Sequence, residues 1–223
     1  MLLYYITDRS QFAGGEEERQ RQLLERIARA AAAGIDLVQL REKDLPARDV
    51  AQLATAALRD IHIRGASTRL LINSRIDVAL ACGAHGVHLT STDPGPELAR
   101  NVLRLAGGGQ DKNDFLIAVS CHSMADVRSA AGQGANLVVF APIFEKVLTP
   151  REPGGVTAQR QSGIGCKMLH QACSTTDKPV LALGGVTLDN AADCMRAGAA
   201  GIAGIRLFQE SNLEETVRRL RTL

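Results

Sequence analysis

Ala32-Ala33-Gly34-Ile35-Asp36-Leu37-Val38-Gln39-Leu40 joins a helix end to a short buried strand through one glycine. The phrase returns as Ala81-Cys82-Gly83-Ala84-His85-Gly86-Val87-His88-Leu89. It returns again as Gly132-Gln133-Gly134-Ala135-Asn136-Leu137-Val138-Val139-Phe140, and finally as Arg196-Ala197-Gly198-Ala199-Ala200-Gly201-Ile202-Ala203-Gly204-Ile205. In each copy the glycine sits where a helix needs a left-handed residue to stop, and a strand-forming run follows. Spacing of roughly fifty residues, with one further strand between successive copies, marks an internal repeat.

The intervening strands are predicted at Leu2–Ile6, Arg69–Asn73, Phe115–Val119 and Val180–Leu183. Helical segments are predicted at 16–33, 46–60, 75–82, 97–105, 123–132, 164–173, 188–197 and 213–220. Eight strands alternating with eight helices predict an α/β fold, a single (β/α)8 TIM barrel over 1–223. A doubly wound open sheet also alternates but requires no fourfold echo. Composition agrees. The 45% apolar content is nearly free of aromatics (3%, no Trp), and an aliphatic core suits parallel strands buried on both faces.

The same composition excludes several roles. A net charge of +2, with the charges dispersed, predicts neither nucleic-acid nor membrane partners. Five cysteines without a C-x-x-C pair read as reduced thiols rather than a disulfide frame or zinc site. With no signal-peptide pattern and no long apolar run, a cytoplasmic protein is expected.

In such barrels the chemistry gathers at the C-terminal ends of the strands. After the second strand comes Gln39-Leu40-Arg41-Glu42-Lys43-Asp44, in which Gln39, Arg41 and Lys43 alternate to one side. Two cations there suit a phosphate or carboxylate, or else the run is a solvated loop with internal ion pairs. Asn73 is expected in the barrel mouth, with Asp77 in a first helical turn. His88 reads as a structural histidine, and Asp93 as either a helix-start acid or a metal ligand. Ser120 and His122 share a face. An imidazole at that position can move protons near neutral pH, or His122 packs while Ser123 caps a helix. Cys121 reads as buried rather than reactive. The seventh strand runs into Gly184-Gly185, with Thr187 expected to cap the next helix. This is either a tight turn or an anion site, and the Ile205-Arg206 turn after the eighth strand favours the anion site. Over twenty residues, 141–163, form a long connection expected to act as a lid or binding loop.

Tyr5-Ile6-Thr7-Asp8, Val38 to Lys43, Asn73 with Asp77-Val78-Ala79-Leu80, Gly86-Val87-His88-Leu89, Val119 to Ser123, Ala141-Pro142-Ile143-Phe144 and Ala182 to Val186 span nearly the whole chain. Together these runs resemble the thiamine-phosphate synthase/TenI superfamily. The resemblance implies a (β/α)8 barrel. The synthase branch joins hydroxymethylpyrimidine pyrophosphate to a thiazole phosphate with Mg2+, and the TenI branch includes a tautomerase acting on a thiazole phosphate carboxylate without metal. It further implies pyrimidine-pyrophosphate contacts at Gln39, Arg41, Lys43 and Asn73, and a thiazole-phosphate grip at Gly185 and Ile205–Arg206. Asp93 becomes one Mg2+ ligand if the synthase reading holds.

The departures favour the TenI branch. Ser74 stands where synthases carry a metal-binding Asp, Thr90-Ser91 replace Gly-Gln, and Glu145 to Pro150 replace a Thr-x-Thr-Lys element. The expectation is therefore a TenI-like thiazole tautomerase with His122 as the proton-transfer residue. Thiamine-phosphate synthase is the first alternative, and a catalytically silent phosphate-ligand binder or regulatory paralogue the second. The partners expected are small phosphorylated ligands, and a homodimer is left open.

Overall fold

Leu3 and Tyr5 face outward and Tyr4 and Ile6 inward along the first strand, so one alternation feeds two apolar layers. The computed structural model describes residues 1–106, 114–148, 159–210 and 212–223. Eight parallel strands close a barrel: β1 (Leu2–Ile6), β2 (Leu37–Leu40), β3 (Arg69–Asn73), β4 (Gly86–Leu89), β5 (Leu116–Cys121), β6 (Leu137–Phe140), β9 (Val180–Ala182) and β10 (Gly201–Gly204). Their order around the barrel is β1-β10-β9-β6-β5-β4-β3-β2. The predicted (β/α)8 barrel is the observed fold.

The inner layer is small and aliphatic apart from Tyr4. It holds Leu37, Leu71, Ala118, Val139, Leu181 and Ala203. A much larger shell lies between the strands and the helices α1 (Glu16–Ala32), α2 (Ala47–Ile63), α3 (Ile76–Ala81), α4 (Pro96–Leu105), α5 (Met124–Gly132), α6 (Gly165–Thr175), α7 (Ala191–Arg196) and α9 (Leu213–Leu220). Burial of this shell supplies most of the drive to fold. The four repeat glycines have the expected conformation, with φ of +88° at Gly34, +69° at Gly83, +87° at Gly134 and +95° at Gly198. In each copy the next residue's N–H reaches back to a helix carbonyl, as Ile35 does to Ala30 and Ala199 to Cys194.

Three local expectations need correction. The helix predicted at 188–197 begins at Ala191, and Thr187 does not cap it through its side chain. Asn190 Oδ1 instead accepts from the Thr187 N–H at 2.8 Å, which tightens 187–190 into a turn before the helix begins. A further short helix, α8 (Arg206–Gln209), directly follows β10 and was not expected. Within the 141–163 connection, β7 (Lys146–Leu148) pairs antiparallel with β8 (Gln159–Gln161), so the segment carries a hairpin. Residues 149–158 of that connection lie outside the described residues, and with them the lid expectation.

Among the described residues, no helix is long and apolar enough to cross a membrane.

Candidate active site

Alternation along the strands sends Gln39, Asn73, His88 and Ser120 inward at the C-terminal end of the barrel, above the aliphatic layer. They line a cavity of about 870 Å3 together with the residues that follow the strands. Arg41, Lys43, His122, Gly184, Gly185, Ile205 and Arg206 all line it too. Of the expected site residues, Asp93 alone does not.

The floor is a hydrogen-bonded relay. Gln39 Nε2 donates to Tyr4 Oη at 3.3 Å, Tyr4 Oη lies 3.0 Å from His88 Nδ1, and His88 Nε2 lies 2.8 Å from Ser120 Oγ. His88 is 2% exposed, and both ring nitrogens are engaged, as its structural reading expects. Burial, helped by the positive charge of Arg41, pushes its pKa down to about 3. The ring is therefore neutral at physiological pH.

His122 differs in every respect. It follows β5 directly, is exposed, and places Nδ1 2.8 Å from the carbonyl oxygen of Ala141. A carbonyl only accepts, so in the neutral ring the proton sits on Nδ1 and Nε2 is left as the basic nitrogen. Ser123 and Asp126 form a capping box at the start of α5, and Asp126 also accepts the His122 N–H at 2.9 Å. The cap thus fixes the backbone that carries the imidazole. Cys121 is fully buried, and desolvation raises its thiol to about 12, so it is no nucleophile.

The polar run after β2 is anchored from below. Glu42 is 5% exposed and Arg9 4%. Arg9 Nη1 meets Glu42 at 3.2 Å, and the Arg9 guanidinium also grips Asp44. Thr7 Oγ1 donates to Glu42 at 2.5 Å and accepts the Arg41 N–H at 3.0 Å. The loop's acids thus pair with Arg9 from the segment after β1, Glu42 buried and Asp44 exposed, and with Thr7 they anchor the stretch that brings Arg41 and Lys43 to the cavity. Thr7, Arg9 and Tyr4 went unrecognised as site supports in the sequence. Thr7 and Arg9 showed locally only as polar residues just after an apolar strand, and Tyr4, inside that strand, gave no polar signal.

The glycine turn is required by its neighbours as well as by the cavity. Gly184 has φ +95° and Gly185 +65°. A Cβ on Gly184 would stand 2.8 Å from Pro142, and one on Gly185 2.6 Å from the Glu145 carbonyl. Backbone bonds from Ile143 to Leu183 and from Phe144 to Gly184, both 2.9 Å, lay the segment after β6 against the turn. Asn190 Nδ2 braces it by donating to the Gly185 carbonyl at 3.0 Å.

Asp93 lies beside the cavity with Ser74, not with a second carboxylate. Its Oδ2 accepts from Ser74 Oγ at 2.7 Å, from the Thr90 N–H at 2.6 Å and from Thr90 Oγ1 at 2.8 Å. Burial works to raise its pKa, but these donors outweigh that effect and the net shift is downward. No three His, Cys, Asp or Glu side chains among the described residues come together as a metal-binding group.

The sequence model of a family described as thiamine monophosphate synthase matches residues 3–208. A putative thiamine-phosphate synthase of Geobacter sulfurreducens is 40% identical over 99% of this chain and 93% of its own length. A thiamine-phosphate synthase of Roseiflexus sp. is 35% identical over 92% of this chain and 76% of its own. Among solved structures, a thiamine phosphate pyrophosphorylase from Pyrococcus furiosus superposes with a TM-score of 0.76 at 24% identity, covering 99% of this chain and 94% of that one. The chain belongs to the thiamine monophosphate synthase family.

Proposed function

We propose that the chain is a thiamine-phosphate synthase, joining a pyrimidine pyrophosphate to a thiazole phosphate in the strand-end cavity. The observation that carries this reading is the layout of the rim. Arg41 and Lys43 follow β2, while Gly184, Gly185 and Arg206 follow β9 and β10, giving two separate stretches suited to anions around one cavity. Two phosphorylated substrates need two such grips, whereas isomerising a single thiazole phosphate needs one. The names of the relatives favour the same order of preference, above the tautomerase put first by the sequence departures.

The reaction breaks the bond to the departing pyrophosphate, and negative charge grows there. Mg2+ is the cofactor implied by this branch, and the donor set does not build a resident site for it. Asp93 is a single carboxylate whose Oδ2 already takes three hydrogen bonds, and Ser74 offers only a hydroxyl. Countercharge from the protein therefore comes from Arg41 and Lys43.

A second reading keeps its own support. His122 presents an accessible basic nitrogen, oriented by Ala141, beside the phosphate turn, which is the equipment of a proton-transfer tautomerase. The test is direct. Purified full-length protein is assayed for thiamine phosphate from both precursors, with and without Mg2+, and for isomerisation of the thiazole phosphate carboxylate. Thiamine phosphate formation supports the synthase. Isomerisation alone moves the assignment to the tautomerase, and ligand binding without turnover in either assay leaves a silent phosphate-ligand binder. The five unpaired cysteines fit a reducing, cytoplasmic setting.

A further inference from the structure

Among the described residues, Tyr4 is the one aromatic member of the inner apolar layer of the barrel, and neither branch of the proposed chemistry gives it a task. Its place in the relay does. A phenol carries a single proton. Tyr4 Oη accepts from Gln39 Nε2, so that proton goes to its other partner, His88 Nδ1. With Nδ1 accepting, the neutral imidazole carries its own proton on Nε2 and donates it to Ser120 Oγ. Ser120 Oγ has no further bond among the described residues, and it lines the cavity. Its hydroxyl proton is then left over for a ligand.

We propose that Tyr4 and His88 are positioning residues that set the direction of this relay, so that Ser120 meets a bound ring as a hydrogen-bond donor. A second chain beside it runs the opposite way. Asn73 Nδ2 donates to Ser74 Oγ at 3.0 Å, and Ser74 passes its proton to Asp93. That leaves Asn73 Oδ1 buried as an acceptor without a donor. Asn73 and His88 are register partners across β3 and β4, so the two chains end next to one another on the same floor. The floor thus pairs a donor with an acceptor, and the ring it holds brings an acceptor to Ser120 and an N–H to Asn73. Ser74, where synthases carry an acid, becomes part of this polarity and not a defect in it.

The relay fixes a protonation state that is measurable in the free protein. In 15N spectra of the full chain with labelled histidine, His88 is expected as a single tautomer with Nε2 protonated. Tyr4→Phe removes the donor to Nδ1 and should yield a mixture of tautomers. A wild-type ring protonated on Nδ1 overturns the proposal, and so does a Tyr4→Phe ring that keeps the wild-type tautomer.

The kinetic arm rests on the synthase reading. Tyr4→Phe and Ser120→Ala should each raise KM for the pyrimidine pyrophosphate about tenfold, with kcat and the thiazole KM nearly unchanged. Equal losses in both substrates would mark a merely structural role and refute the positioning. Should wild-type protein make no thiamine phosphate, the functional reading fails alone and the tautomer decides this one.

Discussion

Ser74 Oγ donates to Asp93 Oδ2 at 2.7 Å, tying the residue after β3 to the acid after β4 through a hydroxyl and not a second carboxylate. Ser74 also holds the left-handed backbone, with φ +60°, that Asp and Asn tolerate better than most residues. Ser74→Asp should therefore fit the backbone while forcing two acids together. Without metal the variant is expected to melt about 2–6 °C below wild type, with the loss recovered at millimolar Mg2+. Wild type should show little response to Mg2+. Thermal unfolding across a Mg2+ titration reads both, and equal responses would restore a resident metal site to the native chain.

His122 touches little besides its cap and the Ala141 carbonyl, so its loss should spare the fold. His122→Asn keeps an N–H for Ala141 but has no basic nitrogen in place of Nε2. If proton transfer is the chemistry, turnover falls about 10²–10⁴-fold while stability stays within about 0.5 kcal/mol. Steady-state rates beside denaturant melts decide it. A variant as fast as wild type removes His122 from the chemistry.

His88 predicts an acid-side instability. Its pKa is about 3 in the fold against an ordinary value of 6.5. Below 6.5 the unfolded chain takes a proton that the folded chain refuses, so stability falls as pH drops from about 6.5 towards 3. The slope approaches about 1.4 kcal/mol per pH unit, and above 6.5 His88 contributes none. His85, also shifted down by burial and by Arg69, adds to the trend in the same direction. The difference between wild type and His88→Asn, taken from urea melts between pH 7 and pH 5, isolates the buried ring. Parallel curves would mean that His88 titrates normally.

Gly185 and Gly34 both hold positive φ, yet their surroundings differ. Nothing lies within 4 Å of a Cβ built on Gly34, whereas one on Gly185 meets Glu145 and Phe144 below 3 Å. Gly34→Ala should cost only the backbone strain, about 1 kcal/mol. Gly185→Ala should cost about 2–4 kcal/mol and weaken binding of the phosphorylated ligand, because the turn or the 142–145 segment must move. Denaturation and calorimetric titration of the two variants separate strain from clash.

Much of the barrel was legible because its signals are local. A glycine that ends a helix, followed by a β-branched strand, works through the conformational limits of a few adjacent residues, and the chain writes it four times. Alternation then told which strand-end residues face inward, which is why nearly all the expected site residues share one cavity. Helix α8 and the β7–β8 hairpin escaped because each is short and lacks enough residues to show a period. Thr187 was misread because its role depends on Asn190 folding back, a choice among competing local hydrogen bonds.

Sequence alone determined the fold class, the family and the end of the barrel at which the expected site residues gather. What only the tertiary structure decided is proton direction and pairing. Tyr4 meets His88, Ser74 meets Asp93, and His122 meets Ala141 across separations of 84, 19 and 19 residues. Which nitrogen of a histidine is basic depends on the group opposite its other nitrogen, and in this barrel that group comes from another strand or the loop beyond it.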